Sequence, residues 1–196
     1  MFEDEQIAAL RYEEKKKKYN NIRTGVYVGD DLIKFTEYRL FDSRMCILLP
    51  DHFSDMDSEN ARKKYPSEQR PQIIKTNQSG TVNFTFSLIE EEVRPEQLNG
   101  LRDGFHKAIK RLQPADIFLD QGEVPAYDRF CSWMDFRSYA LDNDIYNLMF
   151  LCIIGGQLLL GMFNCPLREW MDWKEVLTQI MMSLKDLTEE EVYESN

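Results

Sequence analysis

The sequence predicts an α+β fold, a mostly antiparallel sheet of six to seven strands flanked by helices, and three observations carry that prediction. Val82, Phe84, Phe86 and Leu88 alternate with Thr81, Asn83, Thr85 and Ser87, the period of two that marks a strand. The apolar run over residues 148–163 is cut by Gly155-Gly156 into two pieces of strand length, and Gly-Gly supplies the positive φ values of a tight hairpin turn. Two stretches repeat apolar residues at three and four, Leu98 to Leu112 and Trp173 to Leu184, the spacing of a helix with one buried face.

The elements follow in order. Residues 3–20 combine helix-forming residues with the i,i+4 pairs Glu13/Lys17 and Glu14/Lys18, which predicts a charged helix offering little beyond Ile7 and Leu10 to bury. Residues 32–41 and 45–49 are rich in β-forming types around Asp42-Ser43-Arg44, a composition suited to a turn, and predict a first hairpin. Residues 50–71 are polar and bounded by prolines, with a short helix over 58–64 that Ser58 would cap. A second hairpin is predicted from strands over 72–76 and 81–89, joined by Asn77-Gln78-Ser79-Gly80 and ended by Glu90-Glu91-Glu92. Its second strand should bury one face and leave the other polar.

Pro95 then opens the first long helix, with Leu98, Leu101, Phe105, Ala108, Ile109 and Leu112 facing the sheet. Strands over 117–124 and 127–139 lead through Asp142-Asn143-Asp144 to the Gly-Gly hairpin. Its near-continuous hydrophobicity predicts strands covered on both faces and central in the sheet. The last helix presents Trp173, Val176, Leu177, Ile180, Met181 and Leu184 on one face. The expected organisation is a charged arm over residues 1–22, one domain over 23–187 and an acidic tail over 188–196.

Composition narrows the function classes. Much of the net charge of −10 lies in the tail, where Asp186, Glu189, Glu190, Glu191 and Glu194 follow the last lysine. A pI near 4.8 argues against a phosphate-binding face, so no nucleic-acid partner is expected. The Gly-Gly break leaves no membrane span, and the acidic start lacks the pattern of a signal peptide. Cys46, Cys131, Cys152 and Cys165 form no paired motif; they are expected as buried thiols in a reducing, cytoplasmic setting.

No catalytic, metal or cofactor motif emerges, and the chain is expected to be non-enzymatic and without a cofactor. His52 beside Asp51 in a loop is the one pair that could serve a hydrolytic or small-molecule site, and no nucleophile stands at fixed spacing from it. Asp55, Asp57 and Glu59 alternate like the start of a calcium loop, but Asn60 and Pro66 occupy the positions of its glycine and closing glutamate. The strand over residues 127–139 is a better lead. Arg129, Cys131, Trp133, Asp135, Arg137 and Tyr139 fall on one side of it, and aromatics interleaved with Arg are what partner-binding surfaces favour. Arg129, Trp133, Asp135, Arg137 and Tyr139 are therefore the expected partner-binding residues. The alternative is that a helix covers that face and Arg137 pairs with an acid. Met149, Met162, Met171, Met181 and Met182 could line an adaptable groove, although methionine at such spacing is commonly core.

Four features in this order and spacing resemble one family over residues 32–187. They are the strand end Ile47-Leu48-Leu49-Pro50-Asp51-His52-Phe53, Tyr65-Pro66 before a strand, the mid-chain helix, and a closing unit of apolar hairpin plus a helix from Trp173 to Ser183-Leu184. Together they resemble the PsbP-like, or DcrB-related, proteins. The resemblance implies an α/β/α sandwich with no active-site motif and a role in binding other proteins, since the family includes the Ran-binding factor Mog and bacterial effector-associated chaperones. The chain shows no lipoprotein signal, which makes a cytoplasmic adaptor or chaperone-like role, with a secreted effector as one partner class, the nearer analogy. A homodimer and a structural subunit of a larger assembly remain open alternatives.

Overall fold

The computed structural model describes residue 14 and residues 19–126, 129–139 and 143–188. The helix expected over residues 3–20 lies outside these apart from residues 14, 19 and 20, and so does the acidic tail beyond Thr188. The fold opens with β1 (Asn20–Asn21), β2 (Gly25–Val28) and β3 (Asp31–Ile33), a three-stranded sheet that was not expected. Ile22 is already buried in the main core, inside the range assigned to the arm. β4 (Phe35–Leu40) and β5 (Met45–Pro50) form the first expected hairpin, separated from β3 at Lys34. Both belong to a second small sheet, completed by β13 (Lys185–Asp186) against Met45 and Cys46.

The remaining strands are β6 (Ser54–Asp55), β7 (Ile73–Thr76), β8 (Asn83–Glu92), β9 (Ile117–Ala126), β10 (Arg129–Ser138), β11 (Ile145–Ile154) and β12 (Gln157–Pro166). They make one antiparallel sheet in the order β6-β7-β8-β12-β11-β10-β9. The Gly-Gly hairpin, β11 and β12, therefore lies at its centre, as its unbroken hydrophobicity demanded. Gly155 and Gly156 sit in the turn at φ +54° and +80°, a conformation that side chains with a Cβ rarely adopt. The turn is also anchored, because the Gly155 N–H donates to the Asp186 carboxylate at 2.7 Å.

Among the described residues three longer helices complete the fold: α1 (Ser58–Lys64), α2 (Leu98–Leu112) after a single 3₁₀ turn at Pro95–Gln97, and α3 (Trp170–Met182). Asp57, not Ser58, caps α1: its side chain accepts from the N–H groups of Glu59 and Asn60. Those bonds favour the ionised carboxylate and hold the Asp57 pKa below its usual value. α3 buries Trp173, Val176, Leu177, Ile180 and Met181 against one side of the large sheet, among Phe84, Phe150, Phe163 and Tyr146. Each such side chain contributes roughly 1.5–3 kcal/mol by leaving water.

β8 departs from the expected one-sided pattern. Val82, Phe84, Phe86 and Leu88 are buried as predicted, yet Asn83 and Thr85 on the opposite face are buried too. Asn83 donates to Asn164 at 2.9 Å and Asn164 donates to the Tyr65 hydroxyl at 3.3 Å. That polar face is covered with its amides partly satisfied inside the fold, Asn83 through its Nδ2 group and Asn164 through both its oxygen and its nitrogen. The strand also runs on through Glu90, Glu91 and Glu92, where Glu92 pairs with Gln157.

Gly161 faces Phe150 across the central hairpin, and a Cβ at that position would overlap the Phe150 ring. Gly161→Ala should destabilise the protein by about 2–3 kcal/mol through overpacking, read as a lower urea midpoint with an unchanged m-value.

Candidate interaction surface

β10 lies between β9 and β11, so its two faces meet opposite layers of the sandwich. Ser132 on one face is bonded to Asn99 and Arg102 of α2. Asp135 on the other meets α3, where Lys174 Nζ stands 3.5 Å from it. The helix-covered alternative describes much of the expected partner-binding face.

The structure scatters its five residues. Asp135 is 0% exposed and reaches no partner: Oδ2 accepts from the Tyr146 hydroxyl at 2.8 Å and Oδ1 from the Asp120 N–H at 2.7 Å. That correction follows from the fold, because a carboxylate under α3 must satisfy itself with internal donors. Burial first, and the neighbouring Asp135 charge second, push the Tyr146 pKa far above its ordinary value. Trp133 is half-buried, its indole packed over Gly122 of β9, where a Cβ would stand 3.3 Å from Nε1. Arg129 lies 3.7 Å from Asp186. Arg137 pairs with Asp144, and its guanidinium lies 4.7 Å from the Tyr139 ring centre. Of the five only Tyr139 is exposed, at 52%, while Arg129, Trp133 and Arg137 are half-covered.

A more extensive apolar surface lies on the α2 side. The stripes of α2 and α3 are alike in sequence and unlike in burial. Of the α2 stripe only Leu98 is buried; Leu101, Phe105, Ala108 and Ile109 are half-covered and Leu112 is 73% exposed. Arg102, next to the stripe, is instead 7% exposed, paired with Asp103 at 2.8 Å. Below the helix a small cluster of Val93, Leu98, Leu151, Ile153 and Leu158 is rimmed by half-covered Ile89, Leu101, Phe105, Phe130 and Leu160. One 15-residue helix over a seven-stranded sheet leaves this rim in contact with water. Phe130 and Ile153 also line a small apolar cavity of about 160 Å³ with Pro95, Leu98 and Arg129.

With α2 on one face and α3 on the other, the architecture can be set beside known proteins. No protein-family model matches the chain, and no curated protein matches it. Solved structures do. Cyanobacterial PsbP (CyanoP) from Synechocystis sp. PCC 6803 matches with a TM-score of 0.58 at 12% identity, over 83% of this chain and 98% of that one. The Saccharomyces cerevisiae Ran-binding protein Mog1p matches with a TM-score of 0.55 at 11% identity, over 81% and 98%. The chain has the PsbP-like fold. At such identity the likeness is one of architecture, as the order of the sequence features implied.

The other candidate sites dissolve into local structure. Asp51 and His52 stand 3.5 Å apart, both about half exposed, with the imidazole edge-on to Phe53. Neither lines the two grooves of about 760 and 600 Å³ on the surface. Asp55 pairs with Lys75, Asp57 caps α1 and Glu59 pairs with Lys63, so the three acids are spent separately. Among the described residues no group of His, Cys, Asp and Glu could hold a metal ion. His106 stacks on Phe118 at 3.8 Å. Cys46 and Cys165 are buried thiols whose pKa burial raises, which keeps them from the reactive thiolate form. Cys131 and Cys152, expected as thiols, are instead joined by a disulfide across β10 and β11, with Cα atoms 4.7 Å apart. Adjacent strands brought together two cysteines that are 21 residues apart. Of the methionines, Met149 and Met181 are core while Met171 and Met182 are exposed.

Asp135→Ala should cost about 2–4 kcal/mol in urea unfolding, because it strips a buried hydroxyl and a partly buried amide of their acceptor, whereas Arg137→Ala should cost under about 1 kcal/mol. The raised Tyr146 pKa also sets a pH dependence. Its stabilisation is fully present below the unfolded tyrosine value of 10.0 and is lost as pH rises above it, since only the unfolded state then releases the proton. Stability measured from pH 9 to 11 should fall less steeply in Tyr146→Phe than in the parent protein.

Proposed function

We propose that this protein is a non-enzymatic protein-binding module, an adaptor or chaperone-like factor for one partner, with a secreted effector as a candidate partner class. The observation that carries the reading is the half-covered apolar rim beside α2, where Ile89, Leu101, Phe105, Phe130 and Leu160 surround a buried cluster. An apolar face continuous with core packing suits capture of another protein's apolar segment. The fold relationship to a Ran-binding protein supports the same direction. A homodimer that pairs two such faces is the variant of this reading in which the first partner is a second copy.

Among the described residues no helix is long and apolar enough to cross a membrane. The cytoplasmic setting that belongs to this proposal requires Cys131 and Cys152 to be held there as thiols, since reducing compartments seldom preserve a disulfide. Alkylation in denaturant distinguishes the cases, labelling four cysteines in the reduced protein and two in the bonded one.

Affinity capture of the tagged full chain from the cells that make it should recover a stoichiometric protein, and Phe105→Glu with Leu112→Glu should abolish that recovery. Thermal unfolding within a few degrees of the parent would show that the doubly substituted protein is folded. Undiminished capture by it would refute the α2 face as the binding surface.

A further inference from the structure

The groove of about 760 Å³ lies on the opposite side of the molecule from α2. Its floor is the outer face of β4 and β5, where Phe35, Glu37, Cys46 and Leu48 point away from the core residues Ile47 and Leu49. The last turn of α3 forms one wall with Met182 and Ser183, Ile22 and Arg23 close one end, and Lys185 of β13 closes the other. The wall and the end are joined, since Gln179 of α3 accepts the Ile22 N–H and donates to the Asn20 carbonyl.

Three properties of this groove define an occupant. Its apolar lining is accessible: Phe35 and Leu48 are half-covered, and Met182, 48% exposed, is an adaptable thioether on the rim. Its charge is unbalanced. The protein has 34 acidic and 24 basic residues, yet Arg23 and Lys185 make no ion pair among the described residues, and the one acid of the lining, Glu37, stands 3.6 Å from Arg39. Its backbone is closed along β5. β5 pairs with β13 only through Met45 and Cys46, and beyond them the Leu48 N–H donates to the Ser183 hydroxyl at 3.0 Å. A ligand along β5 is therefore held by side chains and not by addition of a strand. Cys46 is buried and its thiol is pushed up by burial and by Glu37, so the groove binds rather than reacts.

We infer that this groove docks an acidic segment of a partner protein, carrying apolar residues for Phe35, Leu48 and Met182 and carboxylates for Arg23 and Lys185. The inference rests on the protein-binding reading and adds a second, charge-selective contact to the apolar face beside α2. Two cations that make no ion pair among the described residues, on an otherwise acidic molecule, attract acidic partners and repel basic ones, which is how rim charges confer selectivity.

A photo-crosslinking amino acid placed at Met182 of the full chain, in the cells that make it, tests the assignment. Adducts sequenced by mass spectrometry should map to a partner segment in which Asp or Glu alternates with apolar residues. Their yield should fall at least about fivefold when Arg23→Glu and Lys185→Glu are combined, with thermal unfolding confirming an intact fold, and the same crosslinker at Leu112 should not reach that segment. Adducts insensitive to charge reversal, adducts to a basic segment or to a second copy of this chain, or no adducts at all would overturn the groove. A partner still recovered by affinity capture, but absent from the Met182 adducts, overturns the groove alone. Absence of any captured partner overturns the protein-binding reading with it.

Discussion

The central hairpin of β11 and β12 imposes the architecture, because residues apolar on both faces of a strand require a covering layer on each side. Phe150 and Cys152 point to the α3 side, and Leu151 and Ile153 to the α2 side. The Gly155-Gly156 turn allows the two strands to pair without a connecting loop, and Gly161 makes room for the Phe150 ring between them. Everything else in the fold either extends this hairpin sideways into seven strands or closes one of its faces.

The two faces are closed unequally, and the proposed function rests on that inequality. On one side α3 acts together with the small sheets, so that Trp173, Phe84 and Phe163 pack ring against ring within 6.4 Å. On the other, among the described residues, α2 is helped only by α1 and the segment carrying Tyr65, whose hydroxyl meets Asn164. Buried amides and the Arg102, Asn99 and Ser132 cluster fill part of that interface with hydrogen bonds, and the apolar rim around Leu98 is left half open. A layer that is incomplete by itself is a natural place for another protein to complete it.

The α3 side shows how polar groups are accommodated where coverage is complete. Asp135 lies at the heart of β10 with a tyrosine hydroxyl, a backbone N–H and a lysine as donors. From the sequence it is one member of an alternating charged and aromatic series; in the fold it is internal scaffolding. Arg137 and Tyr139 of the same series emerge at the end of the strand, where coverage stops.

Local periodicity and composition determined the strands of the large sheet other than β6 and the two long helices, since spacings of two, three and four residues are properties of the chain itself. The turn glycines determined the hairpin and, through two-sided hydrophobicity, its central place. The order of these features was enough to imply the sandwich. Only tertiary structure decided how far each face is covered: the α2 and α3 stripes look equivalent in sequence, and their burial depends on what lies alongside. It also decided that Cys131 meets Cys152, that Asp57 rather than Ser58 caps α1, and that β1, β2, β3 and β13 form small sheets. Strands of two to four residues carry too little pattern to be seen locally, and contacts between residues far apart in the chain are made by the fold, not by spacing.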